Sequence, residues 1–107
     1  MKDNVKGGAL TEVTFFILLS LYTPRHGYAV MQFVEDKTDG RLTLGAGTLY
    51  GAITTLQKKG WIEAHGEDES RRKEYIITEA GKEAVRKEID RIDKLLVFAR
   101  ETVGGGV

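Results

Sequence analysis

A stretch without acidic residues holds the side chains best suited to chemistry with another molecule. Residues 40–62 contain no Asp or Glu, and Thr48, Tyr50, Thr54 and Lys58 recur at spacings that fall on or near one face of a helix. Hydroxyl groups and a lysine hydrogen-bond phosphate oxygens and base edges, and the methyl group of threonine can contact that of thymine. This face is therefore a candidate surface for nucleic acid; the alternative is a merely solvated helix face, with Tyr50 packed on the hairpin that follows.

Glycines and a second group of cations fit the same chemistry. Gly45 and Gly47 let a backbone approach DNA closely, and the free amide groups at a helix start favour a phosphate. The basic run Arg71, Arg72 and Lys73 can reach phosphates or a narrow minor groove from a hairpin. Acidic residues 67–69 lie beside this run and oppose its field, so we expect modest, salt-sensitive binding.

The composition narrows the classes of function. With 107 residues, 41% of them hydrophobic and 30% charged, the chain has room for one modest core and the composition of a soluble globular protein. It has no cysteine, which excludes disulfide, thiol and cysteine–zinc chemistry, and its 16 basic residues balance 16 acidic ones. No apolar run is long enough to span a membrane. We therefore expect a cytoplasmic protein without a membrane partner.

The sequence offers no catalytic or metal-binding constellation. His26 and His65 have no second histidine at ligand spacing. No serine is accompanied by a plausible base, and no glycine-rich loop matches a phosphate-binding motif. We expect neither an enzyme nor a requirement for a cofactor or a metal.

Apolar periodicity predicts the helices that position the candidate surface. The first covers residues 10–22, with Thr11 as its N-cap, Leu10 and Phe15 as a hydrophobic staple, and Pro24 beyond its end. The second covers residues 27–38 and has an inward stripe of Tyr28, Met31 and Val34. The third bears the candidate surface, ends at Gly60, and has a core stripe of Leu49, Ile53 and Leu56.

A hairpin and a long helix follow. Residues 61–65 and 74–78 alternate as two strands of a hairpin, with Trp61 packed in the core beneath it.

Thr78 caps a final helix over residues 79–103, and residues 104–107 form a flexible tail. This helix repeats apolar residues in the spacing of a coiled-coil seam: Val85, Ile89, Ile92, Leu96, Ala99 and Val103. One helix cannot bury such a seam alone, so a dimer is expected. Its flanks are predicted to hold the pairs Glu83–Lys87 and Asp90–Lys94.

The element order and three blocks of residues resemble a known family. Three helices and a basic-tipped hairpin are the order of a winged helix-turn-helix, so the fold class is mostly α with a small β-hairpin and a long C-terminal dimerisation helix. The blocks are HGYAV at residues 26–30, LGAGTLYGAITTLQKKGWI at 44–62 and RRKEYIITEAGK at 71–82. Together they resemble the signature blocks of the PadR family of transcriptional regulators, in its short subfamily with a single C-terminal helix.

The resemblance implies a function and partners. It implies a homodimeric repressor whose winged domain, residues 1–78, binds a palindromic operator on double-stranded DNA and whose helix 79–103 forms the dimer. An aromatic or drug-like effector is implied at the dimer interface, where the candidate residues are Phe15, Phe16, Leu95 and Phe98; plain dimer core is the alternative. The chain departs from the family in having Gly51 where many members have proline, and in lacking a tryptophan on the final helix.

A rival of another class stays open. A winged-helix protein-interaction module would dock a partner through the final helix without binding DNA, and the zero net charge is compatible with it.

Overall fold

The computed structural model describes residues 5–66 and 73–104. Within them the helices are α1 (Glu12–Ser20), α2 (Gly27–Lys37), α3 (Ala46–Lys58) and α4 (Glu79–Thr102). The strands there are β1 (Val5–Lys6), β2 (Ala9–Leu10), β3 (Arg25–His26), β4 (Ile62–His65) and β5 (Glu74–Ile77). The predicted order of three helices, a wing and a long final helix is confirmed. Arg71, Arg72 and residues 105–107 lie outside the described residues.

One apolar core lies between the first three helices, the wing and the start of α4. Its buried members are Ile17, Leu18, Leu21, Val30, Leu49, Ala52, Ile53, Leu56, Ile62, Tyr75, Ile77 and Val85. The predicted core stripe of α3 is confirmed, since all three of its residues are buried. Trp61 is partly buried and packs against this core. The burial of one side of α3 decides which side faces outwards.

Two helix ends follow the sequence signals closely. The Thr11 hydroxyl accepts a hydrogen bond from the amide of Thr14 at 3.3 Å, as an N-cap does. Gly60 has a φ of 76°, and the amides of Gly60 and Trp61 bond back to carbonyls in the last turn of α3 at 3.0 Å each. This is the paired hydrogen-bond pattern of a glycine-terminated helix. α1 differs from the prediction because it ends at Ser20.

The stripe predicted for α2 is wrong at Tyr28. That side chain is 61% exposed, whereas Val30 and Val34 are fully buried. An α-helix turns about 100° per residue, so positions six residues apart, such as 28 and 34, lie on well-separated sides. Val30 therefore takes the inward place assigned to Tyr28, and Tyr28 stays on the surface.

The wing has one strand more than predicted. β5 is the centre of an antiparallel sheet in the order β3-β5-β4, with Ile62 opposite Ile77 and Arg25 opposite Tyr75. The added strand, β3, comes from the connection between α1 and α2 and has only two residues, too few for a period-two pattern. The amide of Ile77 also donates to the carbonyl of Leu21 at 2.9 Å. Hydrogen bonds thus join the wing to the helical core.

A short N-terminal hairpin was not foreseen. β1 pairs with β2 across Gly7 and Gly8, whose φ values are 58° and 83°. Two consecutive residues of positive φ form the tight turn that suits a two-residue hairpin, and Gly-Gly is one of its sequence signals. The hairpin brings Leu10 to the side of α4.

The two halves of α4 have different surroundings. Thr78 caps the helix by accepting from the amide of Gly81 at 3.1 Å, as predicted. Val85 is 2% exposed and belongs to the core of its own protomer.

Of the predicted flanking pairs, Asp90–Lys94 is present at 3.0 Å, but Glu83 pairs instead with Arg86 at 2.7 Å. The longer reach of arginine favours the partner three residues away here.

Glu88 is a buried carboxylate between α4 and the N-terminal hairpin. It is 4% exposed, and it accepts hydrogen bonds from the amide of Leu10 at 3.2 Å and from Nε of Arg91 at 3.0 Å. The hydrogen bond from Arg91 lowers the pKa of Glu88, burial opposes this change, and the Leu10 amide lowers the pKa further. The carboxylate therefore fixes β2 against α4 in its ionised form.

We expect Glu88→Gln to reduce stability by about 1–2 kcal/mol at pH 7, because hydrogen bonds to a charged group are exchanged for weaker ones. Since the pKa of Glu88 is lowered in the folded state, its contribution is present above the ordinary value near 4.5 and is lost as the pH falls through the folded value. Urea denaturation from pH 7 to pH 3 should show the two proteins converging in acid.

Glu83→Gln is the matched control, because Glu83 forms the same kind of pair on the same helix but half-exposed. It should change stability by only a few tenths of a kcal/mol. Equal effects of the two substitutions at pH 7 would contradict the role given to Glu88.

Candidate nucleic-acid interface

The outward side of α3 gathers the predicted contact residues. We call it the α3 face, and it consists of Gly47, Thr48, Tyr50, Thr54 and Lys58, all of them exposed. The opposite side is locked by the burial of Leu49, Ala52, Ile53 and Leu56. No acidic residue lies in this helix or within four residues of either end. The structure therefore brings the five residues to one surface.

The start of α3 keeps its amide groups free of a side-chain cap. Gly45 is the N-cap, and no side chain bonds to the first turn. A Cβ atom built at Gly45 or Gly47 would have no neighbour within 4 Å in the protomer. The fold therefore does not require glycine at these positions for space. Exposed amides at a helix start can bind an anion.

Tyr50 lies against Gly27 and close to Tyr75 of the wing. Its side chain is 48% exposed, and its ring lies over Gly27 so closely that a Cβ atom there would come within 2.8 Å of the ring carbon Cζ. Tyr75 lies nearby in β5: burial raises the pKa of its hydroxyl, and the neighbouring Tyr50 adds to the rise. The small size of Gly27 thus permits the position of Tyr50.

The threonine and lysine side chains of this region differ in whether they already have contacts within the protomer. The hydroxyl of Thr54 donates to the carbonyl of Tyr50 at 2.9 Å, so this hydroxyl is left as an acceptor for another molecule. Lys59 lies 5.1 Å from the centre of the Trp61 ring. Lys58 and Lys73 are exposed. Arg71 and Arg72, which we also predicted to contact DNA, lie outside the described residues.

Arg41 is engaged within the protomer. Its guanidinium pairs with both carboxylate oxygens of Glu12, with one contact of 3.1 Å. This hydrogen bonding lowers the pKa of Glu12 and raises that of Arg41. The acid-free segment therefore keeps Lys58 and Lys59 as its outward cations, while the charge of Arg41 is balanced from α1.

The second half of α4 presents a continuous apolar surface. We call it the α4 stripe, and it consists of Ile89, Ile92, Leu96, Ala99 and Val103, which are exposed. Their larger members are 38–65% exposed. Val85 was predicted to belong to the same seam, and this is wrong because the core of the protomer already buries it. The stripe starts one turn later, where α4 leaves the protomer.

A cavity lies between α1 and α4 at the beginning of the stripe. Its volume is about 380 Å³, and its lining is Leu10, Glu12, Phe15, Phe16, Glu88, Arg91 and Ile92. Phe15 and Phe16, two of the four residues predicted to form an effector pocket, both line this cavity. Leu95 and Phe98 do not line it; they lie farther along α4 and are 54% and 64% exposed.

Metal ligands and membrane spans were sought in the described part of the chain. Among residues 5–66 and 73–104 there is no cluster of three potential metal ligands. None of the helices there has the length and apolar character needed to cross a bilayer.

Comparison with known proteins places these features in context. The model of the transcriptional regulator PadR-like family matches residues 17–87. Uncharacterized protein X of Lysinibacillus sphaericus is 35% identical over 85 residues, which cover 77% of this chain and 76% of that protein. An uncharacterized 37.1 kDa protein in transposon Tn4556 of Streptomyces fradiae is 33% identical over 72 residues, or 67% of this chain. The chain spans only 20% of the length of this latter relative.

A solved structure supports the fold independently. The crystal structure of a PadR family transcriptional regulator from Eggerthella lenta superposes with a TM-score of 0.72 at 21% identity, over 86% of this chain and 81% of that chain.

Proposed function

The chain belongs to the PadR-like family of transcriptional regulators, whose members bind DNA as dimers, and we propose that it is a sequence-specific repressor of this kind. In this proposal residues 1–78 read a palindromic operator and residues 79–103 form the homodimer. A small aromatic or drug-like effector releases the DNA. The protein acts in the cytoplasm, and no enzymatic activity is part of its role.

The α3 face is the observation that carries the proposal. It combines exposed hydroxyl groups, an exposed lysine and an uncapped helix start, and no carboxylate is near it in the chain. A surface that only faced water would tolerate acids, which are common on solvated helices. A surface that enters a DNA groove is expected to lack acidic residues, because each carboxylate would repel the phosphates of the DNA backbone. Lys73, which precedes β5, adds an exposed cation at the wing.

The α4 stripe supports the dimer. Several large aliphatic side chains in succession, each 38–65% exposed, leave an apolar strip that a second copy of the same helix can bury. Two-fold symmetry then presents two copies of the α3 face to one duplex. This arrangement reads two half-sites related by the same symmetry, and so a palindrome.

The cavity between α1 and α4 supports release by an effector. Phe15, Phe16 and Ile92 give it an apolar lining, and Glu88 with Arg91 gives it a polar edge. Its size suits a small aromatic molecule. Ile92 belongs to both the cavity and the α4 stripe, so an occupant changes how the two α4 helices pack.

The rival function is a protein-interaction module that docks through α4 without DNA. The exact balance of 16 basic and 16 acidic residues favours it, as does the pairing of Arg41 with Glu12, because both reduce the attraction to a polyanion.

Selection of bound duplexes from a random pool, at a low and a near-physiological salt concentration, tests the proposal against the rival. We expect one palindrome to be enriched at both concentrations, with weaker retention at the higher salt. Retention that disappears with salt and enriches no sequence would favour the rival.

A further inference from the structure

The junction between α3 and α4 is unusually close. Thr78, the N-cap of α4, donates from its hydroxyl to the carbonyl of Gly60 at 2.6 Å, and its amide donates to the carbonyl of Trp61 at 2.9 Å. The same hydroxyl accepts from the amide of Gly81 at 3.1 Å. One threonine therefore starts α4 and also binds it to Gly60 and Trp61, just beyond the end of α3. We call these residues, Gly60, Trp61, Thr78 and Gly81, the α4 joint.

Gly81 makes this approach possible. It is buried, and a Cβ atom there would overlap the carbonyl oxygen of Trp61 and lie 2.6 Å from Cγ1 of Ile77. The oxygen is a backbone atom, so it cannot move aside as the end of a side chain can. The φ of Gly81 is not positive; the position needs glycine for space and not for its backbone conformation.

Two further contacts along α4 keep the helix in the direction that the joint gives it. Val85 is buried one turn later, and Glu88 is bonded to the Leu10 amide after that. From Ile89 onwards the side of α4 that bears the stripe is exposed. The orientation of the exposed half of α4 relative to α3 is therefore set within its first three turns.

A small change at the joint has a large effect at the far end. At about 1.5 Å per residue, the helix extends roughly 33 Å from Gly81 to Val103, so a tilt of about 10° displaces its end by roughly 6 Å. In B-DNA this distance is close to two base-pair steps of about 3.4 Å. In a symmetric dimer the tilt acts in both protomers.

We propose that the α4 joint determines the spacing between the two half-sites that the dimer accepts. Gly81 and Thr78 act as positioning residues, because their contacts to Gly60, Trp61 and Ile77 fix the angle between α3 and α4. The proposal rests on the proposed function, a dimer on a palindrome, and names the residues that set one part of its specificity.

The test measures binding to a series of duplexes in which the selected half-sites are separated by the preferred spacer or by one or two base pairs more or fewer. Gly81→Ala is expected to remain dimeric, to keep its preference within a half-site, and to move its optimum by at least one base pair. Its affinity for the original spacer should fall about tenfold. An unchanged optimum with uniformly weaker binding would overturn the proposal.

Thr78→Asp decides the question if Gly81→Ala does not fold. Aspartate keeps the N-cap but cannot donate to the carbonyl of Gly60, so we expect tolerance of several spacers. Thr78→Ser retains both hydrogen bonds and should restore the single optimum. A Thr78→Asp protein with the wild-type optimum and selectivity would refute the inference while leaving the proposed function intact. Wild-type protein that selects no palindrome would refute both.

Discussion

Ile92→Asp is expected to give a folded monomer whose affinity for a complete operator is about two to four orders of magnitude lower. Ile92 is 38% exposed in the protomer and lies in the first half of the α4 stripe, which a second copy of the helix would cover in the proposed dimer. Burying an unpaired carboxylate is costly, and the change occurs in both copies. Loss of the dimer removes the second binding event, which otherwise occurs at high effective concentration.

Sedimentation at micromolar protein and titration of duplexes with one or two half-sites measure this result. The single half-site should bind the variant and the wild type about equally, because the α3 face is untouched. Val97→Asp is the control: Val97 is also exposed, at 51%, but lies about 140° around the helix from Ile92 at about 100° per residue. A dimeric Ile92→Asp protein with wild-type affinity would show that the stripe is not the dimer interface.

Tyr50→Ala is expected to lower operator affinity by about ten- to a hundredfold, which corresponds to roughly 1–3 kcal/mol. The side chain is half-exposed on the α3 face, so part of it is open to contact with DNA. Tyr50→Phe separates the contributions of the ring and the hydroxyl: it should match Tyr50→Ala if a hydrogen bond to phosphate dominates, and the wild type if ring packing dominates. Fluorescence anisotropy with the selected operator measures affinity, and thermal denaturation checks the fold.

Gly27→Ala tests whether the position of Tyr50 matters as well as its presence. The added methyl group displaces the Tyr50 ring and so should weaken operator binding. In the Tyr50→Ala background the ring is absent, and the same substitution should have little further effect, which a double-mutant cycle measures. Additive losses would mean that Gly27 acts on DNA binding by another route. Unchanged affinity in every Tyr50 variant would remove this residue from the interface.

Local signals were sufficient for the boundaries of several elements. Thr11 and Thr78 were recognised as N-caps and Gly60 as a helix end because their capping hydrogen bonds involve residues only a few positions away. The core stripe of α3 was recognised because burial of one side imposes the helical period on the sequence. The error at Tyr28 has the same origin. The three-residue spacing of Tyr28, Met31 and Val34 is close to the helical period of 3.6, but the difference accumulates over six residues. Val30 therefore faces the core instead of Tyr28.

Features that depend on distant residues could not be read in the same way. β3 is a two-residue strand that exists because β5 lies beside it. Val85 continues the apolar period of α4, but its burial comes from the core of the protomer and not from a second helix. Glu88 appeared as one of many charges on α4 until the N-terminal hairpin placed the Leu10 amide against it. The closeness of Gly27 to Tyr50 likewise joins residues that are 23 positions apart in the chain.

The sequence by itself determined the order of elements, the outward side of α3 and the family resemblance, because periodicity, capping and short motifs are properties of neighbouring residues. Only the tertiary structure decided which apolar residues of α4 remain available to a partner, how Tyr50 is held and how closely α4 approaches the end of α3. These depend on which surfaces meet when the chain closes on one core. The need for glycine at position 81 follows only from the backbone oxygen of Trp61 that lies against it.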